Sequence, residues 1–406
     1  MKVKSGKFLK LDKDFDLKKI KPEKVSKATL YVHIPFCKNL CPYCSFTRYE
    51  YDEKKANAYF KSLKDEISFY KRKGFHFSNA YFGGGTPTID MNLLIEAIMH
   101  IKKCFGISEI SVETTIKEVN EENLKRLKEA GVTRLSIGIQ SFDKKMLKLI
   151  GRENHYSPDI LDKIKIANKT FDTLNIDMIF NFPGQTLKVF EKDLDTVKKL
   201  GVSQVTFYPL MPNNSTKTAI VKNFNRIDTK KEKEFYSLIQ KKLEDDKSAY
   251  QASTVWCYSK GKRPIDEYFI DHEDYIGVGA GAISFTGHTF RINSLSLEKY
   301  GQAIKKRKMP VIFCKPLSSK DHMQYYILTK LFGGAIDKRE FERKFGRDIG
   351  SAMMFEINGM KLLGWISEDK DKIILTDKGR FCISSLEKEF FSGLNKLREY
   401  CAREKL

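Results

Sequence analysis

The chain has 406 residues, 41% of them hydrophobic, and a formal net charge of +21. This length allows a large core and predicts two or three domains. No apolar run approaches the ~18 residues of a membrane-spanning helix, and the lysine-rich start lacks the apolar stretch of a signal peptide, which predicts a cytoplasmic protein. The lysines are spread along the chain among glutamates, as on solvated helix faces. This argues against a nucleic-acid binder and leaves attraction of a polyanionic substrate open.

A repeated pattern follows a basic N-terminal extension, residues 1–27: a short β-branched run, a turn, then an amphipathic helix. Asn120 as cap and Gly131 as stop bound one of these helices. Six strand–helix units over residues 28–250 predict an α/β fold with parallel pairing, a partial (β/α)6 barrel whose chemistry lies at the C-terminal strand ends. The candidate strands are Thr29–Ile34, Asn79–Phe82, Glu109–Glu113, Arg134–Gln140, Leu174–Phe180 and Gln204–Tyr208.

The pattern changes after residue 250. Residues 251–317 carry glycine-rich connections between short strands, and we expect this extension to lie near the substrate. Residues 318–406 predict a winged-helix-like α+β domain, which can bind nucleic acid or serve as a lid, so its fold alone does not decide its role. Its predicted elements are the helices Asp321–Leu331, Lys338–Phe345 and Ser351–Leu363, a hairpin of Trp365–Ser367 with Lys372–Leu375, and a last helix opened by Thr376–Gly379.

Three cysteines with CxxxCxxC spacing follow the first candidate strand: Cys37, Cys41 and Cys44. Three thiolates on one tight loop can bind three corners of a cubane iron–sulfur cluster and leave the fourth iron open to a substrate. A structural zinc site is the alternative, but it usually takes four ligands. His33, in the strand before the loop, is expected to be a satisfied strand residue rather than a ligand. The other five cysteines are scattered and are expected to be free thiols.

Glycines and polar residues follow the other candidate strands. The run Gly83–Thr86 lets the backbone approach a ligand closely. Glu113 and Gln140 end the third and fourth strands, Arg152 follows shortly after, and Asp177 lies inside the fifth. One polar residue per strand at one rim is the pattern of a barrel-mouth site. The alternatives are a buried structural acid for Asp177 and a rim salt bridge for Arg152 and Glu113.

The cysteine loop, with Tyr43 before its last cysteine, resembles the radical S-adenosylmethionine (SAM) superfamily. Further stretches resemble its branch of oxygen-independent coproporphyrinogen III oxidases, with the related haem chaperones and methyltransferases. The resemblance covers about residues 29–295 and more weakly the C-terminal domain. The stretches are Tyr31–Phe36, Gly83–Thr88, Arg134–Phe142, Gly151–Arg152 and Phe182–Thr186.

This resemblance implies a [4Fe–4S] cluster on Cys37, Cys41 and Cys44, with SAM bound at the open iron. It also implies an electron donor such as flavodoxin or ferredoxin. Cleavage of SAM would give a 5′-deoxyadenosyl radical that attacks a tetrapyrrole or a similar conjugated substrate. By position, the implied SAM contacts are Tyr31, Tyr43, Gly84, Gly85, Thr86, Glu113, Gln140, Arg152 and Asp177.

Two departures from the branch bear on the activity. Phe46 stands where the oxidases carry a further cysteine, which argues against decarboxylation of coproporphyrinogen III. The haem chaperones carry a histidine motif, and the corresponding Arg263–Phe269 lacks histidine, although His272 is near. An enzyme acting on a tetrapyrrole is therefore favoured. A chaperone that delivers haem is the alternative, and a radical SAM C-methyltransferase with another substrate is the second.

Overall fold

The computed structural model describes residues 28–211, 230–245, 248–261 and 274–404. Its largest sheet contains the six predicted strands, which pair parallel in chain order. These runs are buried on both faces, as parallel strands covered by helices must be. The predicted α/β class is confirmed. The strands are β1 (Ala28–Ile34), β2 (Phe77–Gly84), β3 (Glu109–Thr115), β4 (Arg134–Gln140), β5 (Thr173–Phe180) and β6 (Gln204–Pro209).

The sheet continues beyond these six strands at both edges. On one side β8 pairs antiparallel with β6 and then with β7. On the other side β9 pairs parallel with β1, so the described parallel sheet has seven strands rather than six, and β10, β11 and β12 follow it antiparallel. The added strands are β7 (Tyr250–Ala252), β8 (Cys257–Lys260), β9 (Tyr275–Val278), β10 (Ile283–Thr286), β11 (Thr289–Asn293) and β12 (Val311–Pro316).

Amphipathic helices connect the strands and cover the sheet. The predicted cap and stop are confirmed: Asn120 accepts a hydrogen bond from the amide of Asn123, and Gly131 is left-handed with φ 94°. The helices are α1 (Glu53–Arg72), α2 (Met91–Phe105), α3 (Glu121–Ala130), α4 (Lys144–Leu149), α5 (Ile160–Thr170), α6 (Leu187–Leu200), α7 (Glu232–Leu243) and α8 (Leu297–Lys305).

The C-terminal domain has the predicted helices and wing, with two differences. The wing has a third strand, β13, too short to show a pattern in sequence, and the predicted helix Ser351–Leu363 is interrupted at Met353, which is buried with φ −128°. No described helix is both long and apolar enough to cross a membrane. The elements are α9 (Ser319–Phe332), β13 (Ala335–Asp337), α10 (Lys338–Phe345), α11 (Ile349–Ala352), α12 (Met354–Leu362), β14 (Ile366–Glu368), β15 (Lys372–Leu375) and α13 (Asp377–Arg403).

Trp256 joins this domain to the sheet. Its indole N–H donates to the hydroxyl of Ser384 on α13 at 2.7 Å. Its ring contacts those of Phe332 and Phe391 at centroid distances of 4.9 and 5.8 Å. A fully buried tryptophan with its polar atom satisfied is a strong packing anchor. The C-terminal domain is therefore packed onto the barrel through a shared core.

A buried carboxylate on α1 ties the late strands to the first helix. Glu66 accepts hydrogen bonds from the Tyr300 hydroxyl at 2.6 Å, the Gly279 amide at 2.8 Å and the Asn293 side chain at 3.0 Å. Burial nevertheless raises the pKa of Glu66 to about 7, because the loss of solvent outweighs the three donors, which lower it.

We expect Glu66→Gln to weaken the pH dependence of stability. Since the pKa of Glu66 rises from 4.5 to about 7 on folding, the folded state binds its proton more tightly, and stability is lost as pH rises between these values. Because glutamine does not titrate, the variant should lack this pH-dependent loss in the free energy of unfolding, which is on the order of 3 kcal/mol. Melting temperatures at about pH 5 and about pH 7.5 measure this.

The control is Glu96→Gln, since Glu96 is exposed and its ion pair with Lys64 contributes little to the free energy of unfolding. It should melt like the wild type at both pH values. If Glu66→Gln also lost as much stability as the wild type between the two pH values, the raised pKa of Glu66 would be wrong.

Candidate active site at the C-terminal ends of the strands

One pocket at the C-terminal ends of the parallel strands contains all twelve residues that were predicted to bind the cluster or SAM. It receives the loop after β1, the glycine run after β2 and the ends of β3, β4 and β5. The residues are Cys37, Cys41, Cys44, Tyr31, Tyr43, Gly84, Gly85, Thr86, Glu113, Gln140, Arg152 and Asp177.

The cysteine loop is closed at its base by backbone pairing. Phe36–Cys37 pairs parallel with Tyr49–Glu50, and the amide of Tyr51 donates to the Cys37 carbonyl at 2.9 Å. Inside the loop the amide of Cys44 donates to the Cys41 carbonyl at 3.2 Å. The three thiols are thus presented on a short loop whose two ends are fixed to each other.

His33 supports this loop from the strand below. It is buried, with Nε2 at 2.9 Å from the Thr47 carbonyl and Nδ1 at 3.0 Å from the Tyr31 hydroxyl. A carbonyl can only accept, so Nε2 carries the proton and Nδ1 accepts from Tyr31. Burial lowers the pKa of His33 to about 4, so the ring is neutral. The expectation of a satisfied strand histidine is confirmed.

The surroundings of the thiols decide how readily they can ionise. Burial raises the pKa of Cys37 to about 11 and also raises that of Cys44. The hydroxyl of Thr86 lies 3.7 Å from Cys37 Sγ, and Nε of Arg152 donates to Cys41 Sγ at 3.4 Å. Thiolates in such a buried place need positive charge or a metal centre to be stable.

The donor set suits a cluster better than a single ion. In the described part of the chain, no group of three or more His, Cys, Asp or Glu side chains is arranged to hold one metal ion. This absence does not count against a cubane, because each thiolate would bind a different iron and the sulfur atoms need not converge on one point. Three cysteines in one pocket, with two of their sulfurs near donors, fit such a cluster.

The glycine run after β2 is packed against the cysteine loop. The amide of Gly85 donates to the Ile34 carbonyl, and that of Thr86 to the Phe36 carbonyl, each at 2.8 Å. A Cβ at Gly85 would lie 2.6 Å from the Phe36 carbonyl oxygen and 3.0 Å from Cys37 Sγ. Only glycine permits this approach of the two backbones.

The acidic residues of the rim have definite partners. Glu113 accepts from the Tyr81 hydroxyl at 3.0 Å and from the Gly84 amide at 3.1 Å. Asp177 accepts from the Ser136 hydroxyl and the Asn175 side chain, each at 2.8 Å. Glu113 is therefore held by the neighbouring strand β2, and Asp177 by Ser136 of the neighbouring strand β4 and by Asn175 of its own strand.

Arg152 and Gln140 complete the rim at the end of β4. Besides Cys41, Arg152 donates from Nη1 to the Gly138 carbonyl at 2.8 Å. Gln140 has φ 70°, a left-handed conformation that is uncommon for a non-glycine residue and clusters at functional sites. The sequence placed both residues at this rim, but the backbone strain at Gln140 has no signal in the sequence.

Several pocket residues were missed by the sequence analysis. Arg48 lies on the cysteine loop, Met211 and Trp256 come from the far side of the barrel, and Phe391 and Arg398 come from α13. No local motif marks them, since they are brought here by the packing of the C-terminal domain. The stretch Arg263–Phe269 and His272 lie outside the described residues.

We expect Gly84→Ala to disrupt the site. Gly84 has φ 115°, and an added Cβ would lie 2.6 Å from Cε1 of His33. Backbone strain and displacement of the His33 ring together should lower the free energy of unfolding by roughly 2–5 kcal/mol. The variant should also lose bound iron, because His33 supports the cysteine loop. Melting temperature and iron content after reconstitution measure the effect.

The matched control is Gly106→Ala. Gly106 is also left-handed, with φ 68°, but no atom lies within 4 Å of its added Cβ. Backbone strain in this variant should lower the free energy of unfolding by only about 1 kcal/mol, and the variant should retain its iron. Similar behaviour of the two variants would contradict the proposed crowding of His33.

Comparisons with known proteins identify the family of the chain. The family model of the Radical SAM superfamily matches residues 31–217. The chain is 26% identical over 362 residues to the heme chaperone HemW of Bacillus subtilis (strain 168), covering 86% of this chain and 95% of that protein. It is 30% identical over 271 residues to heme chaperone HemW of Buchnera aphidicola subsp. Acyrthosiphon pisum, covering 63% and 69%. It is 26% identical over 393 residues to the oxygen-independent coproporphyrinogen III oxidase of Escherichia coli (strain K12), covering 88% and 84%.

The fold is matched by a solved structure of coproporphyrinogen III oxidase (HemN) from Escherichia coli. The TM-score is 0.75 at 23% identity, over 92% of this chain and 90% of that one. At this identity the match shows the architecture. The chain belongs to the radical SAM superfamily, in the branch that contains HemW and the oxygen-independent coproporphyrinogen III oxidases, and its cofactors are a [4Fe–4S] cluster and SAM.

Proposed function

We propose that the chain is a radical SAM enzyme that acts on a tetrapyrrole or a similar conjugated molecule. One observation carries this proposal: a single pocket combines the three cysteines, the polar rim and a broad apolar wall. In this proposal Cys37, Cys41 and Cys44 bind the cluster and leave one iron for the amino and carboxylate groups of SAM. When bound and reduced, the cluster supplies the electron that cleaves SAM to methionine and a 5′-deoxyadenosyl radical.

The proposed SAM contacts follow from the charges at the rim. Arg152, held against Gly138 and Cys41, can meet a carboxylate with its guanidinium. Glu113 and Asp177 can accept from the ammonium group and the ribose hydroxyls. Tyr43 packs edge-on against Phe182 at 5.3 Å and can offer its ring to adenine. The exposed amide and carbonyl groups of the glycine run can hold the methionine end.

The substrate part of the proposal rests on the apolar side chains of the pocket, which come from several strands and from α13. They include aromatic rings, which suits a large conjugated ring rather than a small polar metabolite. The names of the relatives, heme chaperone and coproporphyrinogen III oxidase, also point to tetrapyrroles. The apolar side chains are those of Ile179, Leu210, Met211, Trp256, Ile283 and Phe391.

The alternative function is a haem chaperone of the same branch. It is favoured by the similarity to HemW over 86% of the chain. In that case haem would bind without chemical change. A cytoplasmic location and flavodoxin or ferredoxin as the electron donor remain predictions for both functions.

We expect Cys37→Ala, Cys41→Ala and Cys44→Ala each to lose most of the bound iron and the cluster absorption. Each removes one of three thiolates, and no other described residue is proposed to replace it. Iron and sulfide content after anaerobic reconstitution measure the loss. Cys104→Ala is the control, since Cys104 is also a half-buried free cysteine but lies outside the pocket. If the iron content of the three loop variants equalled that of the wild type, the assignment of these cysteines as cluster ligands would be wrong.

We expect haem to stimulate cleavage of SAM by the reconstituted, dithionite-reduced protein. A substrate that fits the pocket should couple radical formation to its own modification, so 5′-deoxyadenosine and loss of the haem spectrum should rise together. Chromatography and absorbance follow both, and Cys41→Ala gives the background. A persistent haem spectrum without added 5′-deoxyadenosine would favour the chaperone. Cleavage indifferent to haem would require a different substrate.

A further inference from the structure

The last helix of the chain contributes an arginine to the pocket. The guanidinium carbon of Arg398, on α13, lies 5.5 Å from the centre of the Phe46 ring. Its Nη1 donates to Oδ1 of Asn395, one turn earlier, at 2.8 Å. Both residues of α13 line the pocket together with Phe46. The guanidinium is thus stacked on an aromatic ring and oriented by its own helix.

A second guanidinium approaches Phe46 from the cysteine loop. Arg48 donates from Nη2 to the Cys41 carbonyl at 2.6 Å and from Nη1 to the Phe46 carbonyl at 3.3 Å. It lines the same pocket as Arg398 and lowers the pKa values of Cys37 and Cys44 through its charge, against the stronger effect of burial. Two arginines therefore contact Phe46 beside the three cysteines, Arg398 at its ring and Arg48 at its backbone carbonyl.

The charged side chains of the pocket carry an excess of positive charge that can attract a further anion. Its described lining has five cations and three acids, of which Lys38 and Glu118 pair with each other at 3.1 Å. The positive iron–sulfur core would offset most of the charge of the three thiolates. SAM brings one carboxylate, one ammonium group and one sulfonium group, for which Arg152 and the rim carboxylates suffice in the proposed function. The cations are Lys38, Arg48, Lys117, Arg152 and Arg398, and the acids are Glu113, Glu118 and Asp177.

Phe46 lies where these charges meet apolar surface. Its side chain is 48% exposed. The aromatic ring of Phe391 lies in the same pocket, as do apolar side chains such as Met211. A ligand that uses both surfaces needs an apolar body and an anionic group at its edge, and a tetrapyrrole with carboxylate side chains has both. A guanidinium fork binds such a carboxylate in two parallel hydrogen bonds.

We propose that Arg398, assisted by Arg48, binds a carboxylate at the edge of the substrate and so selects acidic tetrapyrroles over neutral ones. This rests on the proposed function, since it takes the substrate to be a tetrapyrrole. The C-terminal domain thereby supplies a specificity-determining residue that lies 354 residues after Cys44 in the sequence. Phe46, in this arrangement, holds the guanidinium and contacts the ring.

The test compares haem, which has two carboxylates, with its dimethyl ester, which has none. Binding to the reconstituted holoprotein is followed by absorbance for the wild type, Arg398→Ala, Arg398→Lys and Arg403→Ala. Arg398→Ala should weaken haem binding about tenfold or more and leave the ester unchanged. Arg398→Lys should retain part of the affinity. Arg403→Ala is the matched control, since Arg403 lies on the same helix but is 72% exposed.

Other outcomes distinguish a failure of the proposed tetrapyrrole function from a failure of the carboxylate site at Arg398. If the wild type binds neither compound, the tetrapyrrole function itself fails, and this inference with it. If the wild type binds haem and Arg398→Ala binds it equally well, only the carboxylate site is wrong. Equal weakening of haem and ester would show that Arg398 acts through packing, which also overturns the site. Should Arg398→Ala not fold, the haem-to-ester ratio in Arg398→Lys decides, and an unchanged ratio contradicts the proposal.

Discussion

The site depends on how closely two backbone segments approach each other at the ends of β1 and β2. The glycine run donates from two successive amides to the carbonyls of Ile34 and Phe36, directly before the first cysteine. A Cβ at Gly85 would lie 2.6 Å from the Phe36 carbonyl oxygen and 3.0 Å from Cys37 Sγ, so it would push both away. Thus the position of the first thiol is set by the absence of a Cβ on the neighbouring strand, and the pocket can form only where glycine allows that contact.

A chain of buried hydrogen bonds extends this constraint to the rest of the molecule. The Tyr59 hydroxyl donates to the His33 carbonyl at 2.5 Å and accepts from the amide of Ala280 at 3.2 Å. Glu66, two turns further along α1, holds the neighbouring Gly279. The first helix therefore fixes both the strand that carries His33 and the loop after β9. Because an unsatisfied buried polar group is costly, these contacts favour one arrangement of the site.

The local parts of this architecture could be predicted from sequence, and the long-range parts could not. Six strands, their order and most of the twelve pocket residues follow from patterns within short segments, whereas Tyr31 and Tyr43 followed only from the family resemblance. The pairing of β9 with β1 joins residues about 245 apart, and four residues of strand carry too little pattern to show it. Arg398 sits in an ordinary amphipathic helix, and only the packing of Trp256 against α13 shows that this helix reaches the cysteine loop.

The same packing changes how the C-terminal domain is understood. A winged-helix-like fold and a basic chain would suit a nucleic-acid binder, but here Ser384, Phe391 and Arg398 of α13 face the barrel rather than a free surface. A helix buried in this way acts as a wall of the pocket. Under the proposed function its residues can therefore change which substrate binds without contacting the cysteines, whereas a change in the glycine run or His33 would also alter the cysteine loop. In that proposal the barrel residues hold the cofactors, and α13 contributes part of the substrate contacts.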